Sequence, residues 1–293
     1  MRRARDLAGQ VVVVTGAARG IGALVATRLA ANDARVALLG LEPDQLAGVS
    51  ARCGPHSRWW EVDVTDELAL AGVAAAVRDA YGRIDAVVAN AGIAIGGPFL
   101  HSDARAFQRV IEVNLLGSVA TARAFLPALL ESKGYLLQVA SAAALTPAPM
   151  MAAYCASKSG VEAFAHAVRA EVAHHGVEVG VAYLSWTDTD MVRAADENPA
   201  LREMRAGLPF LVGRTSPLPT AADALVQGIS RRAPRVYGPR WLLPMQLVRG
   251  ILPPIVARLA AHTMPGIESR WLAAGVGTLP LGAGGAADTR TRA

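Results

Sequence analysis

Cysteine is almost missing from this chain: Cys53 and Cys155 are the only two in 293 residues. Their spacing suggests neither a metal site nor a disulfide framework, which excludes a small stapled scaffold and favours a reducing compartment, the cytoplasm. Lysine is equally scarce. Lys133 and Lys158 are the only two, so the net charge of +5 rests on arginine. The arginines are dispersed, with small clusters at Arg2-Arg3-Arg5 and Arg231-Arg232-Arg235, and no basic motif interleaved with aromatics occurs. Nucleic acid is therefore not expected as a partner. The six histidines are scattered, and His174-His175 reads as solvated polar surface, so no metal site is expected. A signal-peptide apolar region does not fit either, because Asp6 and a first strand follow the opening Met-Arg-Arg-Ala-Arg closely. The stretch 134–157 lacks charge and is long enough to span a bilayer. It contains Gln138, Ser141, Pro147, Pro149 and Tyr154, however, and reads better as a buried strand, an apolar loop and a helix start.

What is present is apolar and periodic. Hydrophobic residues make up 53% of the chain and the mean hydropathy is positive at +0.31, which argues against disorder. Strand and helix patterns alternate, as in a parallel sheet covered on both faces. Strands are expected over 10–16, 35–39, 58–62, 84–89, 134–141, 177–184 and 235–237. Helices are expected over 23–31, 67–81, 103–131, 151–175 and 221–231. With no repeats and no linker before about residue 239, the expected fold is α/β: one doubly wound, Rossmann-like three-layer α/β/α domain over 1–238. An apolar extension over 239–280 and a disordered tail over 281–293 would follow. Ligands are expected at the carboxyl ends of the strands.

Tyr154 and Lys158 stand four residues apart in Tyr-Cys-Ala-Ser-Lys, with Ser141 thirteen positions upstream. One helical turn puts the phenol and the ammonium on one face. A nearby cation favours phenolate, and a tyrosine with a lowered pKa can trade a proton with a substrate oxygen. Cys155, next to Tyr154, points about 100° away on a helix and reads as packing. Near the N-terminus, the apolar run Gln10-Val-Val-Val-Val-Thr-Gly16 leads into Thr15-Gly16-Ala-Ala-Arg19-Gly20-Ile21-Gly22 and then a helix. A strand, a glycine turn and a helix N-terminus make an anion site suited to a pyrophosphate.

In these motifs, with Asp63-Val64, Asn90-Ala91-Gly92 and Asn114, the sequence resembles the short-chain dehydrogenases/reductases over roughly residues 8–238. The resemblance implies a nicotinamide-dependent oxidoreductase. It interconverts a carbonyl and a secondary alcohol with Asn114, Ser141, Tyr154 and Lys158 as catalytic residues. It further implies cofactor contacts at Thr15, Gly16, Arg19, Gly20, Ile21, Gly22, Asp63, Val64, Asn90, Ala91, Gly92, Tyr154, Lys158, Thr187 and Thr189. Asp63 would accept from the adenine amino group, and Asn90 would brace the sheet while Gly92 leaves room for cofactor. Asn114 would kink its helix and place a water near Lys158, which would hold the nicotinamide ribose.

Cofactor choice stays open between NADP and NAD, with a lean to NADP. Strand two ends Leu39-Gly40-Leu41-Glu42, so the acid that would select NAD is missing at Gly40, and the family's arginine for NADP is missing at Leu41. Arg19 could meet a 2′-phosphate. The sequence also departs from the family after strand six, where Leu184-Ser185 replaces the usual Pro-Gly and Trp186 either shapes the substrate mouth or packs the core. The apolar loop 142–153, with Leu145, Met150 and Met151, suggests a lipophilic small-molecule substrate, as does a lid over about 191–217 with Leu208, Phe210 and Leu211. The extension can pack on the core or on a second subunit, in line with an expected homo-oligomer. Failing that, residues 240–262 can lie in a membrane interface. Two alternatives remain: a nucleotide-binding regulator, and a non-redox relative such as a dehydratase or epimerase.

Overall fold

The computed structural model describes residues 4–208, 210–275 and 279–290. Strand β1 (Val11–Thr15) is four valines and a threonine, all buried. β-branched residues favour extended backbone, and a strand buried on both faces belongs in the middle of a parallel sheet. Around it lie β2 (Arg35–Gly40), β3 (Arg58–Glu61), β4 (Ala86–Ala89), β6 (Tyr135–Val139), β7 (Glu178–Leu184) and β8 (Arg235–Gly238), in the order β3-β2-β1-β4-β6-β7-β8. Every pairing in this seven-stranded sheet is parallel. The order reverses between β1 and β4, which opens a crevice at their carboxyl ends.

Helices α1 (Gly20–Ala30), α2 (Pro43–Cys53) and α10 (Leu218–Arg231) are built around one face of the sheet, where Val12, Val14, Leu29, Leu46 and Leu225 form one apolar layer. Helices α3 (Glu67–Tyr81), α4 (Ala104–Ile111), α5 (Gly117–Ser132) and α6 (Ala152–Val172) cover the other around Val13, Leu70, Phe125 and Val161. Local chemistry sets several ends. Asp66 accepts from Ala69 N at 2.9 Å to start α3, and Gly82, at φ 77°, ends it in the left-handed conformation.

The expected strands and helices are all present, with ends shifted by no more than three residues. Four features differ. Helix α2 was not anticipated from the sequence. The single helix expected over 103–131 is broken between α4 and α5 by a π-helical turn, Glu112–Leu116, with Asn114 at its centre. The lid is built from helices α7 (Asp190–Glu197), α8 (Pro199–Ala206) and α9 (Phe210–Gly213); the side chains of Phe210 and Leu211 lie outside the described residues. Finally, 282–290, read from the sequence as disordered, forms helix α13 (Gly282–Arg290). It is preceded by a two-residue strand, β9 (Leu279–Pro280), antiparallel to β5 (Ile95–Gly96).

The extension divides in two. Helices α11 (Leu242–Val248) and α12 (Leu252–Ala273) meet at 99°. Ile267 and Trp271, late in α12, join Met150, Met151, Leu201 and Met204 in a third apolar cluster beneath the lid. The first half of α12 stands clear, with Ile255 and Leu259 exposed. Arg249 fixes the elbow between the two helices. It donates to both carboxylate oxygens of buried Glu162, at 2.7 and 2.8 Å, and to Ala144 O at 3.1 Å. Glu162 lies one turn after Lys158 on α6, so the extension is tied to that helix.

Candidate active site

A single cavity at the carboxyl ends of β1, β4 and β6 gathers most of the residues picked out in the sequence. Gly16, Arg19, Gly20, Ile21 and Gly22 line one end. Asp63, Val64, Asn90, Ala91, Gly92, Ser141, Tyr154, Lys158 and Thr187 also line the cavity, with Thr189 beside Gly20. Thr15 and Asn114 stand behind these walls.

The turn into α1 is tight. Gly16 has φ +63°, and a Cβ there would sit 2.8 Å from Ala91 Cα; one on Gly22 would sit 2.2 Å from Gly16 O. Both positions exclude any side chain. Helix α1 begins with no side-chain cap from Arg19, so its first N–H groups face the cavity without a capping partner. That is the arrangement an anionic pyrophosphate requires, and the residues present fit a dinucleotide. Thr15 ties this turn to the next: its Oγ1 accepts from Asn90 N at 3.0 Å and Ala91 N at 3.1 Å, while Asn90 Nδ2 donates to Thr15 O at 2.9 Å.

Asn114 is fully buried in the π turn. Its Oδ1 accepts from Ile93 N at 2.8 Å, and its Nδ2 donates to Ile93 O at 2.9 Å and Ser157 Oγ at 3.0 Å. The side chain thus clamps the segment after Gly92 to α6. A Cβ on Gly92 would meet Asn114 Oδ1 at 3.1 Å and Lys158 Nζ at 3.5 Å, so a side chain there would press on the Asn114 amide beside Lys158.

Lys158 Nζ donates to Val139 O at 2.9 Å and lies 5.7 Å from the centre of the Tyr154 ring. Burial pushes the Tyr154 phenol up to about 12, while a hydrogen bond with Ser141 pulls the other way. Burial brings the Lys158 ammonium down to about 8. Desolvation is the largest influence on the Tyr154 phenol, and Lys158 is not among the groups that shift it. Ser141 Oγ accepts from Ala143 N at 3.2 Å and donates to Leu184 O at 3.3 Å.

Thr189 caps α7 and donates to Thr187 O at 3.2 Å; Thr187 Oγ1 donates to Ser185 O at 2.9 Å. Trp186 packs against the third apolar cluster under the Arg205 guanidinium, 5.0 Å from the ring centre. Cys155 packs there too.

The structure adds residues that the sequence did not single out. Arg19 donates to Glu42 Oε1 at 2.7 Å and lies 3.5 Å from Asp190. Asp63 accepts from Thr65 N at 2.9 Å and from Arg109 at 2.9 Å. Burial works to raise its pKa, but these partners prevail and hold the carboxyl below the usual range. Arg109, on α4, also pairs with Asp288 of α13, Nε to Oδ2 at 2.9 Å. Leu281, Gly284, Ala287 and Asp288 complete the cavity wall. No local pattern marks Arg109 or Asp288, which are far apart in the chain.

A family profile described as short chain dehydrogenase matches residues 10–200, which include every motif above. The chain belongs to the short-chain dehydrogenase family. Its named relatives support an oxidoreductase, and the parallel sheet with its flanking helices is the short-chain dehydrogenase fold. The chain is 32% identical over 191 residues to the bovine dehydrogenase/reductase SDR family member 7B, a match covering 62% of this chain and 59% of that protein. It is 28% identical over 201 residues to the 3-oxoacyl-[acyl-carrier-protein] reductase FabG of Escherichia coli, covering 68% of this chain and 80% of the reductase. Among solved structures, a metagenomic short-chain oxidoreductase in complex with NADP superposes with a TM-score of 0.58 at 35% identity, covering 61% of this chain and 83% of that one.

Proposed function

We propose that this short-chain dehydrogenase interconverts a carbonyl and a secondary alcohol on a lipophilic small molecule, using NADP or NAD. The meeting of Tyr154, Ser141 and Lys158 in the cavity that begins at the glycine turn carries this reading. The dinucleotide, when bound, supplies or accepts the hydride. The turn 16–22 and the N-terminus of α1 would hold its pyrophosphate, and Asp63 its adenine. Tyr154 exchanges the proton at the substrate oxygen. With its pKa near 12, it rests as the neutral phenol, the form that carbonyl reduction consumes. Lys158, largely protonated at neutral pH, stabilises the phenolate left behind, and Ser141 donates to the substrate oxygen. Asn114 holds the segment after Gly92 against α6 and so positions Lys158.

Arg19 supports the lean to NADP, because it can turn from Glu42 to a 2′-phosphate. Met191, Val192, Leu184 and Leu281 in the cavity wall support an apolar substrate. Exposed Leu243 and Leu247 on α11, Ile251 at the elbow, and Ile255 and Leu259 on α12 support a peripheral contact with an anionic bilayer. The chain has no Asp or Glu between Pro239 and Ile267, while Arg240 precedes these residues and Arg258 adjoins Leu259.

The test is NAD(P)H absorbance with a panel of lipophilic ketones and alcohols, on the wild type and on Tyr154→Phe. Wild-type turnover should fall by about 10³-fold or more in the variant, with the cofactor dissociation constant within about twofold. Equal turnover in both would discard the mechanism. Cofactor binding without turnover on any substrate would favour a regulator, and product formation without net absorbance change a dehydratase or epimerase.

A further inference from the structure

Building on the dinucleotide reading, we propose that the C-terminal segment 279–290 is part of the cofactor site, a wall over the adenosine end latched by Asp288 on Arg109. The segment reaches the cavity by a defined path. Strand β9 pairs with β5, just beyond the Asn90–Gly92 turn, and Leu281 N donates to Ala94 O at 2.8 Å. Gly282 then turns the chain at φ +78°. A Cβ there would lie 2.7 Å from Met191 Cα, so the start of α13 abuts the start of α7 with no space between. Only glycine permits both the backbone angle and the approach.

From that corner α13 runs along the cavity. Gly284, Ala287 and Asp288 share one helix face by their spacing, and all three line the cavity with the glycine turn and Asp63. Ala287 also faces the groove beside Leu41 and Glu42, where the adenosine ribose would lie. A Cβ on Gly284 would meet nothing within 4 Å, so this glycine leaves space over the cavity and does not serve packing. The face is small and smooth where a planar base would slide in.

The far end is fixed by charge. Asp288 and Arg109 are both buried, at 6% and 9% exposure. The same guanidinium holds Asp63, Thr65 and Glu112. Arg109 therefore joins the tail directly to the carboxylate expected to read the adenine. A buried pair of this kind is costly to break one-sidedly, because the remaining partner loses its compensation. Nucleotide entry and exit then require the tail to lift, and its closure slows release.

The experiment measures dissociation constants and release rates of NADPH for the full-length wild type, Asp288→Asn, Asp288→Glu and Gly284→Trp. The nucleotide halves, adenosine 2′,5′-bisphosphate and nicotinamide mononucleotide, are measured alongside. Asp288→Asn should weaken NADPH and adenosine 2′,5′-bisphosphate by about tenfold, mainly through faster release, and leave nicotinamide mononucleotide unchanged. Asp288→Glu should recover part of the loss. Gly284→Trp, at a position where a Cβ meets nothing within 4 Å, should weaken both by about 100-fold. It keeps the test decisive if Asp288→Asn unfolds. Wild-type affinity in Gly284→Trp, or tighter nucleotide binding on loss of Asp288, would overturn the proposal. A wild type that binds neither NADPH nor NADH would instead overturn the dinucleotide reading itself.

Discussion

At the scale of single residues, the site is a set of charges whose strengths are decided by burial. Arg19 and Glu42 form the pair nearest the expected 2′-position, with side chains 29% and 19% exposed. Such a pair contributes little to stability, about 1 kcal/mol or less, so it can be exchanged for a ligand at small cost. Glu42→Gln leaves Arg19 free for a phosphate and removes a repelling charge. It should tighten NADPH by about three- to tenfold and leave NADH within about twofold, measured as dissociation constants by fluorescence titration. Equal effects on both cofactors would show that Arg19 does not meet the 2′-phosphate. Of these residues, Arg19 was legible from its place in the glycine turn. Its partner Asp190 was not, because the contact joins segments more than 150 positions apart.

Elements show where sequence periodicity is a sufficient guide. The spacing of Tyr154 and Lys158 is local, and α6 places both in the cavity as the helical repeat requires. The π turn at Glu112–Leu116 has no such signature in the periodicity: the pattern through 103–131 is continuously helical, only the family resemblance implied a kink at Asn114, and the break is stabilised by Asn114 bonding Ile93 on another segment. Helix α13 was missed for a related reason. Gly-Ala-Gly-Gly-Ala-Ala-Asp-Thr-Arg has weak helix propensity, and a helix of nine residues is marginal by itself. Packing on α7 and the Asp288–Arg109 pair supply what propensity lacks.

The extension, by contrast, reads as apolar in sequence and is apolar in both of its destinies, one half packed and one half exposed. Leu247→Glu with Ile255→Glu should reduce co-sedimentation with vesicles containing anionic lipid by about tenfold, with turnover on a soluble substrate unchanged. If the wild type ignores vesicles and the double variant changes its mass by light scattering, these exposed residues instead form a contact between two copies of this chain.

Across the whole molecule, burial of Lys158 is a stability cost accepted at the centre of the site. Its pKa falls to about 8 from an ordinary value of 10.5, so the unfolded chain binds the proton more tightly. The penalty is full below pH 8, and it is relieved as pH rises from 8 towards 10.5, where both states lose the proton. Lys158→Met should therefore raise stability at pH 7 by on the order of 2 kcal/mol. Urea midpoints at pH 7 and pH 10 should show that advantage shrinking, while turnover is lost at both. Tyr154 contributes with the opposite slope: its pKa is raised from 10 to about 12, so its contribution is fully present below pH 10 and is lost as pH rises from 10 through about 12. A constant difference between the proteins from pH 7 to 10 would contradict the buried-ammonium account.

The sequence by itself determined the alternating strands and helices, the glycine turn, and the residues that meet at the carboxyl ends of β1, β4 and β6. Those features depend on propensity, periodicity and short spacings, which act over a few residues. The tertiary structure decided the rest: that the Tyr154 phenol is buried, that Asn114 sits in a π turn, and that a glycine-rich tail returns to line the cavity and pair Asp288 with Arg109. Each of these arises from contacts between distant segments in a low-dielectric interior, where burial and partner geometry set the outcome and local sequence carries no record of either.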